Sequence, residues 1–349
     1  MPQEGLMYRR TPQQAHSAGI VMRRGMLLFA FVSVACASVS RLPAATQDSA
    51  GQITVSPPSV APPLTSTSTS IPANQAERRL RIVFASSRDD AHPDSCVPDC
   101  ILEFYVMNDD GSNIVRLTHL ETKSDDPSWS PDRQRIVFSS LKSGNDDLFV
   151  MASDGSGITQ LTDDPAPDFQ PSWSPDDRLI AFVRIFPGNM DIFVIDADGS
   201  NIVQLTTDPN PDFQPAWSPD GQRIAFTSTR DGNEEIYVMD GDGSNVMRLT
   251  QHEASDWGAS WSPDGKWIVF TSNRDGPNEL YVMDSAGNDL IRVTTNDAND
   301  VSPDWSPNDE RLVYIVVDEN TWDIFLLDLN SRATTRLTDD DAVDFNPDW

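Results

Sequence analysis

Five aspartates recur at a fixed interval: Asp168, Asp212, Asp256, Asp300 and Asp344 stand 44 residues apart, each five residues before a tryptophan. Carboxylates presented by equivalent positions of a repeat could do two kinds of work. Turned toward a shared axis, they would form a ring of hard oxygen ligands suited to calcium or another hard divalent ion. Their summed potential would also draw in a cation or a basic peptide segment. Turned into a loop, each would instead cap nearby backbone amides, as aspartate often does in turns. At the remaining position of the series Ser124 replaces the acid, with Asp125 beside it.

Other residues of reactive type are few. Cys96 and Cys100 share a Pro-containing stretch. In an exported chain, two cysteines so close suggest a disulfide. Zinc held with His92 is the alternative, but the local sequence offers no further ligands. The third cysteine, Cys36, follows Ser33-Val34-Ala35 and resembles a lipidation site; the alternative is ordinary cleavage at Ala35-Cys36-Ala37. Asp196-Ala197-Asp198-Gly199-Ser200-Asn201 and its copies look like calcium loops. They lack a ligand at the twelfth place and a flanking helix pair, so they read as hairpin turns. No Gly-x-Ser-x-Gly string is present, and His119 and His252 fall in equivalent regions three repeats apart. Catalysis is therefore not expected, and these histidines read as surface residues.

The elements that must position the aspartates follow from the same interval. Tryptophans at 129, 173, 217, 261, 305 and 349 are all 44 residues apart. That period fits one four-stranded propeller blade. Around Trp217, strand A covers 213–217 and Ser218-Pro219-Asp220-Gly221 makes a type I turn. Strand B covers 223–228, strand C 236–240, and strand D ends at Arg248-Leu249-Thr250. Pro215, with Pro127, Pro171, Pro303 and Pro347 in the same place, removes an amide donor from strand A. Strand A is therefore an edge, the innermost one, beside a central channel. The first repeat begins at strand B and the chain ends on a lone strand A at Trp349. The sequence thus predicts an all-β, six-bladed β-propeller with four antiparallel strands per blade, closed by the C-terminal strand joining the first blade. The B–C and D–A loops share one end of the cylinder, which is the expected ligand face.

The string Pro215-Ala216-Trp217-Ser218-Pro219-Asp220-Gly221, then Ile224-Ala225-Phe226, Ile236-Tyr237-Val238-Met239-Asp240 and Arg248-Leu249-Thr250, resembles the WD-repeat-like repeats of TolB and its relatives. The resemblance spans residues 80–349. It implies an exported propeller scaffold that binds a partner. TolB itself is periplasmic, binds the peptidoglycan-associated lipoprotein and serves envelope integrity. It carries an α/β domain before its propeller, where this chain shows only a linker.

The N-terminal region fits export. Arg23-Arg24 precede an apolar run from Met26 to Ala37, too short to span a bilayer, so residues 1–37 read as a secretion signal whose true start could be Met22. Residues 38–77 are rich in Ser, Thr, Pro and Ala and read as a disordered linker, leaving 78–349 as the propeller. The formal net charge is −29, from 25 basic and 54 acidic residues. Such a surface repels nucleic acid and favours cationic partners. The expectation is a monomeric binding protein of the periplasm or bacterial cell surface, recognising a protein or peptide with basic segments. Calcium is the one cofactor considered, and membrane contact is expected only through a lipid on Cys36. The alternative is a propeller hydrolase or lyase acting on peptides or glycans.

Overall fold

The computed structural model describes residues 81–89, 101–318 and 321–349. The signal, the linker, Cys36, His92, Cys96 and Cys100 lie outside the described residues. Each 44-residue interval folds as one sheet because each holds four short apolar runs separated by turn residues. The first sheet joins β1 (Arg81–Ser86), β2 (Glu103–Asn108) and β3 (Val115–Arg116). The second holds β4 (Ser124–Trp129), β5 (Arg135–Ser140), β6 (Asp147–Ala152) and β7 (Thr159–Gln160). The third holds β8 (Asp168–Trp173), β9 (Leu179–Phe186), β10 (Asn189–Asp196) and β11 (Val203–Gln204). The fourth holds β12 (Asp212–Trp217), β13 (Arg223–Ser228), β14 (Glu235–Asp240) and β15 (Met247–Arg248). The fifth holds β16 (Asp256–Trp261), β17 (Trp267–Ser272), β18 (Glu279–Asp284) and β19 (Ile291–Arg292). The sixth holds β20 (Asn299–Trp305), β21 (Arg311–Val317), β22 (Trp322–Asp328) and β23 (Thr334–Arg336). The last strand, β24 (Asp344–Asp348), returns to pair antiparallel with β1, so the first sheet runs β24-β1-β2-β3.

These are six four-stranded antiparallel sheets, and the six A strands touch one another in a closed cycle. Strands B and C are apolar on both faces because each blade is sandwiched between two others. Ala181, Ile192 and Val194 of one blade pack with Ile224, Phe226 and Tyr237 of the next. The closing seam is built the same way: Val313, Ile324 and Leu326 of the sixth blade meet Ile82, Phe84, Tyr105 and Trp349 of the first. The C–D turns fit the hairpin reading. In one of them Asn201 Nδ2 donates to Asp196 Oδ2 at 2.7 Å, and Asp198 accepts from Ser200.

Two turn glycines separate the role of conformation from that of space. Gly155, at φ +84, lies in the C–D turn of the second blade, where a Cβ would stand 2.2 Å from the carbonyl oxygen of Leu117 in the first. Gly232, at φ +107, has nothing within 4 Å of the same virtual atom. Alanine at either site meets the left-handed penalty, but only Gly155→Ala forces two blades apart. We expect Gly155→Ala to lower stability by about 1–3 kcal/mol more than Gly232→Ala, measured as urea midpoints at constant slope.

Candidate functional site

The recurring aspartates are not a ring of ligands. Asp168, Asp212, Asp256, Asp300 and Asp344 are all fully buried at the start of strand A, between blades. Four are held by arginines. Arg184 reaches Asp168 at 2.7 Å, Arg230 reaches Asp212 at 2.9 Å, Arg274 reaches Asp256 at 2.6 Å and Arg88 reaches Asp344 at 3.0 Å. Each guanidinium also lies over an aromatic ring, as Arg230 does 4.8 Å above Tyr237. Burial pushes these carboxyls up from the ordinary range, and the paired arginines oppose it. In four of the five the oxygens meet guanidinium groups, which differs from the expected open ring of calcium ligands; Asp300 has no arginine. The alternative reading, backbone capping, is corrected too, because the principal partners are side chains. Among the described residues no three His, Cys, Asp or Glu side chains converge as a metal-holding group.

The channel wall is made by other positions of strand A. Each A strand carries an irregularity in its pairing to strand B just past the buried aspartate, or past Ser124 in the second blade. The residue three before each tryptophan has positive φ: Asp126, Gln170, Gln214, Gly258, Ser302 and Asn346. Such a bulge turns a side chain out of the pleat. The turned side chains reach from blade to blade. Asn346 Nδ2 donates to Asp126 Oδ1 at 2.8 Å and to Asp125 Oδ1 at 3.0 Å, from the first blade to the second. The amide of Gln170 donates to Asp126, that of Gln214 to Gln170 Oε1, and that of Gly258 to Gln214 Oε1. A second tier is formed by the residues preceding the tryptophans: Ser128, Ser172, Ala216, Ser260, Asp304 and Asp348. There Ser260 donates to Asp304 Oδ1 at 2.8 Å, Trp349 N to Asp304 Oδ2 and Trp129 N to Asp348 Oδ1.

Acid is confined to one side of this wall. Asp125 and Asp126 of the second blade, Asp348 of the first and Asp304 of the sixth flank the seam, while the opposite wall carries Gln170, Gln214, Gly258 and Ser260. All four carboxyls are half-buried, and burial is the main cause raising each above its ordinary range. Asp126 is pushed further by Asp125, and Asp348 to about 8 by Asp304. Lys123 and Arg133 lie near enough to draw them partly back. Asp146, beside Asp125 and Lys123, is raised to about 6, again chiefly by burial. At the end bearing the B–C and D–A loops, Trp257, Val301, Val317 and Trp322 form a connected apolar cluster, and Phe345 meets Trp322 at 4.9 Å. His119 and His252 are exposed, as the sequence suggested. Reasoning from the sequence named Asp125 only as the neighbour of Ser124 and missed Asp126, Asp304 and Asp348. Their signal was available, since they are the acids in columns of the tryptophan-aligned repeat that change from blade to blade.

A closed ring of six four-stranded blades around a polar channel defines the β-propeller class. Within it, this chain belongs to the TolB beta propeller domain family, whose model matches residues 95–210 and 208–349. Among solved structures it is similar to TolB from Acinetobacter baumannii, at 21% identity and a TM-score of 0.69, over 78% of this chain and 67% of that one. A TolB-type protein from Agrobacterium tumefaciens is also similar, at 22% identity and a TM-score of 0.62, covering 76% of this chain and 90% of that one. An oligogalacturonate lyase from Vibrio parahaemolyticus shares the fold at 15% identity and a TM-score of 0.50, over 67% and 70% of the two chains. No curated protein matches by sequence.

Proposed function

We propose that this protein is an exported binding scaffold whose channel receives a basic segment of a protein or peptide partner, entering from the end with the B–C and D–A loops. The gathering of Asp125, Asp126, Asp304 and Asp348 on one wall carries the reading. Four half-buried carboxyls gathered near Lys123 and Arg133 would favour an incoming ammonium or guanidinium group, whose charge would displace the protons that burial favours on them. The aromatic cluster at the mouth would pack an apolar side chain of the same segment. Arg23-Arg24 and the apolar run after them support export to the periplasm or cell surface, with Cys36 as a lipid anchor and residues 38–77 as its tether. A hydrolase or lyase is not favoured, because the channel side chains are Asp, Asn, Gln and Ser with no histidine among them.

The test is fluorescence anisotropy with short lysine- and arginine-containing peptides and their glutamate counterparts, on the full chain. Only the basic peptides should bind, and more weakly as salt rises. Asp126→Asn with Asp348→Asn should weaken binding by about tenfold or more, while the amide oxygens keep accepting from Gln170 and Trp129. Equal binding of basic and acidic peptides, or an unchanged affinity in the double variant, would sink the reading. Affinity capture followed by mass spectrometry would then name the partner.

A further inference from the structure

Five of the six A-strand starts follow one rule, and the sixth breaks it. Where the A strand begins with aspartate, a guanidinium covers it: Arg184, Arg230, Arg274 or Arg88. Where no arginine arrives, the acid is absent too, and Ser124 bonds the hydroxyl of Ser140 at 2.8 Å. Asp300 has the acid without the arginine. Its cross-strand partner is Val316, where the other blades have Ser86, Ser140, Arg184, Ser228 or Ser272. Counting from the buried B-strand aromatic, the place held by Arg230 after Phe226 is held by Asp318 after Tyr314.

Asp300 is fully buried; its Oδ2 accepts from Asn296 Nδ2 at 2.7 Å, and the Thr294 hydroxyl also bonds the carboxyl. Its Oδ1 has no partner among the described residues. Glu279, from β18 of the preceding blade, is equally buried; Arg292 holds its Oε1 at 2.6 Å while its Oε2 is also without a partner. The groups facing Asp300 are Glu279 from β18, Arg292 from β19, Thr294 and Asn296 from the loop before β20, and Tyr314 from β21. The acids on neighbouring A strands, Asp256 of β16 and Asp344 of β24, are already paired with Arg274 and Arg88.

We infer that Asp300 is held as a neutral acid opposite Glu279, a proton standing in for the missing guanidinium, and that losing this proton loosens the seam between the fifth and sixth blades. A buried carboxylate with one oxygen unpartnered, no guanidinium bonded to it and an acidic neighbour is costly, whereas the protonated form removes the charge and gains a donor. The carboxyl is correspondingly raised to about 7, by burial first and with Glu279 adding to it. The sign follows. A group whose folded-state value is raised stabilises the fold at low pH, and that contribution is lost as pH rises from its ordinary range through about 7. The seam therefore tightens in mild acid and slackens in mild alkali. The adjoining backbone contact, Asp300 N to Asn278 O at 2.8 Å, would open with it.

The test compares wild type with Asp300→Asn from pH 5 to 8.5. The wild-type melting temperature should fall relative to the variant by roughly 5 °C across that range. Amide exchange around Asp300, corrected for intrinsic rate, should rise with pH in wild type and stay level in the variant. A protonated-carboxyl infrared band at pH 6 should disappear in Asp300→Asn. Installing the missing pair, Val316→Ser with Asp318→Arg, should remove the pH response; if that variant fails to fold, the asparagine comparison still decides. Parallel melting profiles of wild type and Asp300→Asn would overturn the inference. So would an ionised Asp300 at pH 6 whose seam is stabilised by added potassium or calcium, since a cation would then occupy the place assigned to the proton.

Discussion

Removing residues 341–349 is expected to abolish cooperative unfolding of the propeller. The deletion takes away β24, and with it the innermost strand of the first blade. Trp349 and Phe345 are buried in two different core clusters, one on each side of that blade. Losing either aromatic alone would cost about 3–5 kcal/mol. The seam loses more than apolar area. Arg311 lies 4.8 Å over Trp349 and pairs with Asp109 of the first blade at 2.7 Å, so it would lose its stacking partner. Arg88 would lose Asp344, Ser87 N would lose the carbonyl of Val343, and Trp129 N would lose Asp348. A domain is stable by only about 5–15 kcal/mol in total, so these losses together exceed what the ring can absorb. An open ring would also expose two blade faces with nothing against them. Urea unfolding by fluorescence and circular dichroism should show a broad, non-coincident transition and dye-binding apolar surface. A truncated chain that melts sharply near the full-length temperature would mean that the ring does not depend on its closing strand.

The ring was legible because its cause is local and repeated. Trp129 to Trp349 fix the period, Pro127 and its counterparts mark the inner edge, and the lone final strand A requires closure. The structure places strand A innermost and β24 beside β1, as that reasoning requires. The site was less legible because a column in a repeat gives position without direction. Asp168, Asp212, Asp256, Asp300 and Asp344 do lie near the loop-bearing end, but the chain turns them between blades. The sign of their partner was present one strand later, in Arg88, Arg230 and Arg274 just past strand B and Arg184 within it. Reading the two columns together would have paired them and exposed Asp300 as the exception. The channel residues were hidden for a different reason. The bulge that turns Asp126 and Asn346 inward is set by backbone conformation shared by six residues of five types, so no one residue type announces it. What is shared among the blades builds the ring, and what differs faces its axis.

Replacing Arg274 with leucine should destabilise the propeller by about 3–5 kcal/mol, although the substitution is apolar and similar in bulk. Asp256 is fully buried and Arg274 nearly so, and the guanidinium also packs 4.9 Å over Tyr281. Without it, Asp256 loses its charged partner and keeps the Ser272 hydroxyl, while its other oxygen is already without a partner among the described residues. The cost is that of an uncompensated buried charge, so it should shrink when the charge is removed. Arg274→Leu with Asp256→Asn should recover at least half the loss, a coupling that a double-mutant cycle in urea would measure. pH should act in the same sense. With its counter-charge gone, Asp256 would rise further above its ordinary range, so the single variant should be weakest in alkali and regain stability as pH falls. A variant that loses the same amount at every pH, and is not helped by Asp256→Asn, would show that Arg274 matters for its packing over Tyr281 alone. The variant would reproduce in the fifth blade the pairing deficit already present at Asp300. The two sites should then share one pH dependence, and installing or removing a single guanidinium should interconvert them.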